Sequence, residues 1–302
     1  MNARDEEYIK MKNYQYRDTI GAGASGVVYL VYDPQYKTEF ALKTVVESKF
    51  NQNEVDCMKQ VDDPNVIRLY HYDYYKGCVY MVMEYCATSL EKAVIKKNGL
   101  PYNLLRKYSI GVLKAVRACH NAKIAHKDIK PANFLIDFYD RIRVCDFGLS
   151  AIHSDNEPDQ VFAGSVPFMP PEILLRKPHD AFKADIWAIG VTFFIMATGR
   201  LPWGGDNRST ICQNLLNFEP RIDLIEDKTY ADVVRLCLSK NPDNRPTIDE
   251  LLSLSIFKEV QTIIQKHPRR VHLLNTRRIG FFSQASLIIS PKHKRAKLIQ
   301  SF

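Results

Sequence analysis

Gly21-Ala22-Gly23-Ala24-Ser25-Gly26 runs directly into Val27-Val28-Tyr29-Leu30-Val31-Tyr32. Three glycines in six residues let a backbone approach phosphate groups closely and present its N–H donors to them. A ligand-free glycine turn has the same spacing, so the residues that follow decide the reading. A dinucleotide fold requires a helix straight after the glycines. Here the next six residues are β-branched, aromatic or leucine, which predicts a strand. The glycines therefore sit at a β-hairpin, a lid over phosphates, and not at the first turn of a helix.

Such a lid needs a cation beneath it. Phe40-Ala41-Leu42-Lys43 is an apolar strand run ending in a lysine, whose ammonium projects into a cleft as a compact charge for two phosphate groups. That lysine needs a carboxylate on the following helix. The spacing predicts a helix from Asn53 to Val61, with Val55, Met58 and Val61 on one face, stopped by Asp63-Pro64-Asn65. Glu54 is the best-placed partner. Glu47 and Asp56 are rivals, Asp56 facing away from Val55 and Met58.

Working outward, residues 1–15 are polar and read as a frayed extension. Strand texture runs from Tyr16 to about Tyr85, and helical texture starts after residue 90. Pro101 stands at a first helical position, followed by Leu105, Tyr108, Val112, Val116 and Cys119 at helical spacing. Short strands are expected at 134–136 and 142–144, and helices at about 183–198, 209–217, 229–239 and 247–253. A β-rich part followed by an α-rich part predicts two lobes with a cleft between them.

Composition narrows the class. The 302 residues fit one large domain or two small lobes, and 46% apolar with 25% charged residues is ordinary for a globular chain. The longest near-apolar run, Ile186 to Gly199, falls short of the ~20 residues of a membrane helix, so no membrane insertion is expected. The N-terminus has no apolar signal region. Seven scattered cysteines without a Cys-x-x-Cys predict reduced thiols in a cytoplasmic or nuclear protein. The net charge of +8 is uneven. Residues 266–302 carry nine Lys and Arg and no acid, which leaves 33 basic against 34 acidic residues before them. The basicity therefore concerns the partners of the tail, not the chemistry of the body.

The second cluster is His126-Lys127-Asp128-Ile129-Lys130-Pro131-Ala132-Asn133, followed by Asp146-Phe147-Gly148. Asp128 is the candidate base for a hydroxyl proton. Asn133, across a turn set by Pro131, and Asp146 are candidate Mg²⁺ ligands; two oxygen donors plus substrate phosphates is the usual way that ion is bound. Lys130 is placed to neutralise a transferred phosphoryl group. Each cluster alone could be a polar loop, but their order and spacing together are not those of chance.

These residues give the chain its resemblance to a eukaryotic protein kinase of the Ser/Thr type over about residues 16–257. Pro170-Pro171-Glu172, Asp185-Ile186-Trp187-Ala188-Ile189-Gly190 and Asn244-Arg245-Pro246 extend it. The resemblance implies a bilobal α+β fold, with a β-rich N-lobe at 16–83, a hinge at 84–90 and a helical C-lobe at 91–257. Residues 258–302 follow as a basic tail. It implies ATP as phosphoryl donor, Mg²⁺, and a protein substrate. Lys43, Glu54, Asp128, Lys130 and Asn133 would be catalytic. Ile20, Gly21, Gly23, Gly26, Val28, Ala41, Lys43, Met83, Glu84, Cys86, Leu135 and Asp146 would hold the nucleotide, with Met83 as gatekeeper and the backbone of Glu84 and Cys86 on adenine. Met58, His126 and Phe147 would stack as a spine. Asp185 would brace the catalytic loop, Arg245 would pair with Glu172, and Cys145 would be a core thiol near the nucleotide. Local runs are similar to monopolar-spindle checkpoint kinases, and Leu201-Pro202-Trp203 is similar to calcium/calmodulin-type kinases.

The departures are informative. Lys127 stands where most members carry an arginine that grips a loop phosphate, and the loop position that would carry the phosphate is Val161. Gripper and target are both altered, which predicts activity without phosphorylation there. Ser150, Ser154 and Ser165 remain on the segment, with Ser165 aligned to touch Asp128. Ala132, Ser89 and Ile195 occupy positions where arginine-directed kinases carry acids, so strongly arginine-directed specificity is not expected. In the tail, Lys292-His293-Lys294-Arg295-Ala296-Lys297 resembles a nuclear-import signal, so an import receptor is a candidate partner. Ile279, Phe281, Phe282, Leu287, Ile288 and Ile289 suggest a docking partner, and Arg277–Ser283 a pseudosubstrate, against which the missing acids count. The rivals are a pseudokinase scaffold on the same fold, opposed by the intact Lys43, Glu54, Asp128, Asn133 and Asp146, and a small-molecule kinase, opposed by Glu172 and Asp185. Nucleic-acid binding rests on the tail alone.

Overall fold

The structure is a computed structural model of the chain, and it describes residues 1–23, 26–153 and 158–258. The tail motifs, Ser154, and Ala24 and Ser25 of the glycine run lie outside the described residues.

The chain opens with α1 (Ala3–Met11), so residues 1–15 are not the frayed extension their polarity suggests. Asn2 caps this helix, its side chain accepting from the Asp5 N–H at 2.8 Å. The helix lies on the outer face of the N-lobe sheet. Tyr8 stacks on Tyr80 with ring centroids 3.7 Å apart and donates its hydroxyl to Asp73 at 2.7 Å. The Asp5 carboxylate is fully buried and accepts the hydroxyls of Tyr29 at 2.7 Å and Tyr80 at 2.6 Å. Hydroxyl donors from the sheet thus satisfy Asp5, a buried acid in a stretch whose polarity suggests solvation.

The sheet holds β1 (Gln15–Gly23), β2 (Gly26–Asp33), β3 (Thr38–Val46), β4 (Leu69–Tyr75) and β5 (Cys78–Glu84) in the antiparallel order β1-β2-β3-β5-β4. Pairing of β1 with β2 runs to Gly23 opposite Gly26, the hairpin the sequence predicts. Gly26 has φ +120°, and a Cβ there would meet the Thr44 carbonyl oxygen at 2.1 Å, so no other residue fits. Alternation along β3 sends Phe40 and Leu42 to the α1 side and Ala41 and Lys43 to the cleft side. Between β3 and β4 lies α2 (Gln52–Gln60), whose Val55 packs with Val45, Val79 and Met81 under the sheet.

The second lobe follows through β6 (Thr88–Ser89), α3 (Leu90–Lys97) and the long α4 (Tyr102–Asn121), which Pro101 precedes as N-cap, one position earlier than the sequence reading gives it. Then come β7 (Ile124–Ala125), β8 (Phe134–Ile136), β9 (Ile142–Val144), β10 (Ala151–Ile152) and α5 (Pro171–Leu174). The lobe is completed by α6 (Ala181–Thr198), α7 (Arg208–Asn217), α8 (Lys228–Cys237) and α9 (Ile248–Ser253). α6 is apolar all round, with a mean hydropathy of 1.4, because it is the core helix and 72% of it is buried. A Cβ at Gly190 would come 2.7 Å from the Cys237 Cβ, so this glycine sets how closely α6 and α8 approach. Gly199, at φ +70°, ends the helix.

Candidate active site

The cleft between the lobes has a volume of about 620 Å³, within the range of small-molecule sites. Ile20, Gly21, Val28, Ala41, Lys43, Met83, Glu84, Cys86, Leu135 and Asp146 line it, together with Glu54, Met58, Asn133 and Cys145. Gly23 and Gly26, also assigned to the nucleotide, are not among its walls; they form the end of the hairpin.

Lys43 and Glu54 meet in the cleft with Nζ and Oε1 2.6 Å apart, both side chains about nine-tenths buried. Glu47 is exposed, and Asp56 is exposed and takes the Gln52 amide at 2.9 Å, so neither rival reaches the lysine. The α2 end that carries Glu54 is clipped to the segment after the second acidic motif. Asn51 Nδ2 donates to the Gly148 carbonyl at 3.1 Å, and Asn53 Nδ2 to the Ser150 carbonyl at 2.6 Å. Phe147 is fully buried, 5.2 Å from the His126 ring, and belongs with Met58 to the C-lobe core. Asp146 has φ 64°, a strained value for a non-glycine residue. A Cβ on Gly148 would lie 3.3 Å from Asp146 Oδ1, so the glycine leaves room for that carboxylate.

Asp128 receives four donors. Lys130 Nζ at 2.6 Å and Asn133 Nδ2 at 2.9 Å reach Oδ2; the Ser165 N–H at 3.1 Å and hydroxyl at 2.9 Å reach Oδ1. Burial alone would raise its pKa. The hydrogen bond and charge of Lys130, with Ser165 and Asn133, outweigh that and hold it below the usual carboxylate range. Lys130 also donates to the Ser165 hydroxyl at 2.9 Å. The loop is braced from α6: Asp185 accepts the His126 and Lys127 N–H groups at 2.8 and 2.9 Å. Arg245 grips Glu172 with two hydrogen bonds of 2.6 and 2.9 Å.

The fit to a magnesium ion follows from the donor set. The Asn133 amide nitrogen gives its hydrogens to the Asp128 carbonyl at 2.8 Å and the Asp128 carboxylate, so the amide acceptor left is Oδ1. That oxygen and the Asp146 carboxylate, both on cleft-lining residues, are hard donors of the kind magnesium takes. Cys145 beside them is no thiolate: burial pushes its pKa well up, and the Asp146 charge adds to this. Ser150 is buried and donates to the His126 carbonyl at 3.2 Å, a structural role.

The structure changes the reading of Lys127 in one respect. Its loop partner is not lost; it is Asp159, with which it forms a buried salt bridge. Asp159 also accepts the Val161 N–H at 2.8 Å, and its backbone pairs with His179. Burial would raise the Asp159 pKa, but the hydrogen bond from Lys127 and the Val161 N–H bring it below its usual value. Sequence reasoning missed Asp159 because it looked only at the position a phosphate would occupy. An acid two residues away, opposite a changed cation, was the available signal.

The chain matches the model of the protein kinase domain over residues 14–257. The chain belongs to the protein kinase family. Curated relatives agree with this. It is 30% identical over 261 residues to "Probable serine/threonine-protein kinase MARK-A" of Dictyostelium discoideum, covering 83% of this chain and 25% of that protein. It is 30% identical over 244 residues to "Sperm motility kinase 3A" of Mus musculus, covering 79% and 48%. It is 29% identical over 262 residues to "CBL-interacting serine/threonine-protein kinase 18" of Arabidopsis thaliana, covering 83% and 50%. The chain thus spans a quarter to a half of the length of these relatives.

Proposed function

We propose that this kinase-family chain transfers the γ-phosphoryl group of Mg·ATP to serine and threonine hydroxyls of protein substrates, and that it needs no phosphate on its activation segment. The observation that carries the transfer reading is the Asp128 carboxylate, which takes four donors, one of them from Asn133, a wall of the cleft that holds the Lys43–Glu54 pair. Lys43, fixed by Glu54, binds and orients the phosphates. Asp128 orients the acceptor hydroxyl and takes its proton, and Lys130 neutralises charge on the moving group. Magnesium held by Asn133 and Asp146 would supply further neutralisation of the phosphate oxygens. The buried Lys127–Asp159 pair supports the second part, since it gives the segment a fixed carboxylate where a phosphate would otherwise be held. Unpaired cysteines throughout fit a reducing cytoplasmic or nuclear setting, and the basic tail fits an import receptor or docking partner.

The test is transfer of radiolabelled γ-phosphate to a generic basic protein by bacterially expressed, phosphatase-treated chain, with an Asp128→Asn control. Label on seryl and threonyl residues, cut about 10²–10⁴-fold in the control, is expected. Nucleotide binding without transfer would favour the scaffold reading.

A further inference from the structure

Arg143 is the central residue of β9 and is buried where the two lobes meet. Its Nε and Nη2 each lie 3.3 Å from Asp137 Oδ2, Nη2 lies 3.1 Å from Glu84 Oε1, and Nη1 donates to the Pro64 carbonyl. These three anchors belong to three segments: the β8–β9 turn, the β5 end where the hinge begins, and the loop between α2 and β4. A backbone circuit closes around them. Val144 N donates to Asn65 O at 2.8 Å, Ile67 N to Val144 O at 2.9 Å, and Glu84 N to Arg68 O at 2.9 Å.

Arg143 also sits opposite Leu135 in the β8–β9 ladder, so both side chains leave the same face of that sheet. Leu135 lines the cleft on the C-lobe side, and Glu84 lines it at the hinge. A buried guanidinium is costly to desolvate, and an apolar residue would pack there at less cost. What it adds is a fixed distance between hinge and cleft floor, set by a planar fork with directional donors.

We propose that Arg143 is a positioning residue for nucleotide binding: through Glu84 and Pro64 it latches the start of the hinge to the strand beneath the adenine-binding cleft. The proposal rests on the reading that a nucleotide occupies this cleft. Arg143 touches no substrate. Losing the latch lets the Glu84–Cys86 backbone shift relative to Leu135 while the hydrogen bonds around Asp128 stay as they are, so nucleotide affinity falls and protein-substrate recognition does not.

The experiment titrates ADP onto the full chain, its Arg143→Lys, Arg143→Gln and Glu84→Ala variants, and the Arg143→Gln/Glu84→Ala double variant, each first shown to be folded by a cooperative melt. Arg143→Gln and Glu84→Ala should each weaken ADP about tenfold, with the double variant no worse than the weaker single, as contacting groups behave. Arg143→Lys, which keeps the charge and loses the fork, should fall between parent and Arg143→Gln. The protein-substrate KM of the Arg143 variants should stay at the parent value. If Arg143→Gln does not fold, Glu84→Ala and Arg143→Lys carry the same comparison. Parent-like ADP affinity in the folded variants, or fully additive losses, would overturn the latch. A parent chain that binds no ADP would overturn the cleft reading, and this proposal with it.

Discussion

Asp128 is an acid among donors, and that decides its pH behaviour. Its folded pKa lies below the ordinary carboxylate range, so it keeps its charge to lower pH than a free aspartate does. Ser165→Ala removes one donor to the charged form, which raises the Asp128 pKa. The acid limb of the kcat profile should therefore move to higher pH in that variant; an unmoved limb would show that the hydroxyl does not hold Asp128. Asn53→Ala removes the 2.6 Å bond from α2 to the Ser150 carbonyl. It should lower kcat by about tenfold, the worth of one well-placed hydrogen bond, with a melting temperature close to the parent's; full activity would mean that α2 is positioned by packing alone. The grouping of Lys130 and Asn133 around Asp128 was legible because all three stand in one short loop. Asn133 is five positions from Asp128, and its amide nitrogen reaches the carboxylate at 2.9 Å. The Asn53 contact was not legible, because its partner is a backbone carbonyl 97 residues away.

At the scale of elements, the glycine hairpin, the helix carrying Glu54 and the two short strands at 134–136 and 142–144 lie where period and turn residues put them. The first helix was missed because only Tyr8 and Ile9 of its apolar residues are buried, and because the groups that hold it are tyrosines of distant strands. Tyr8→Ala should cost about 3–5 kcal/mol, as for other buried aromatic truncations, read as a lower midpoint in denaturant. A negligible change would show that α1 is an ornament on the lobe. The activation segment has its own pH signature. Asp159 has a lowered folded pKa, so the stability its pair contributes is complete above the ordinary carboxylate value and is lost as pH falls through the folded one. Asp159→Asn should therefore lower stability and kcat at pH 7, and its stability deficit should close in acid. Breaking a buried pair costs about 3–5 kcal/mol, ample to loosen the segment; a variant as active and as stable as the parent would remove Asp159 from the account.

For the whole molecule, two lobes with different secondary structure were readable from texture, and the core helix α6 from its apolar run. The hinge and Glu84 were readable as part of the resemblance; the contacts of Arg143 to Glu84, Asp137 and Pro64 were not, because the four residues come from separate places in the sequence and a lone arginine reads as a surface charge. The Lys43–Glu54 pair, the buried Phe147 and the Lys127–Asp159 bridge are the contacts on which the proposal of transfer without segment phosphorylation rests. The most direct test follows the first turnovers of phosphatase-treated chain with Mg·ATP and a protein substrate, while mass spectrometry monitors the activation segment. The account predicts a linear time course from the start with no phosphate on that segment. A lag that ends as segment phosphate accumulates, or no transfer until another kinase has acted, would contradict it.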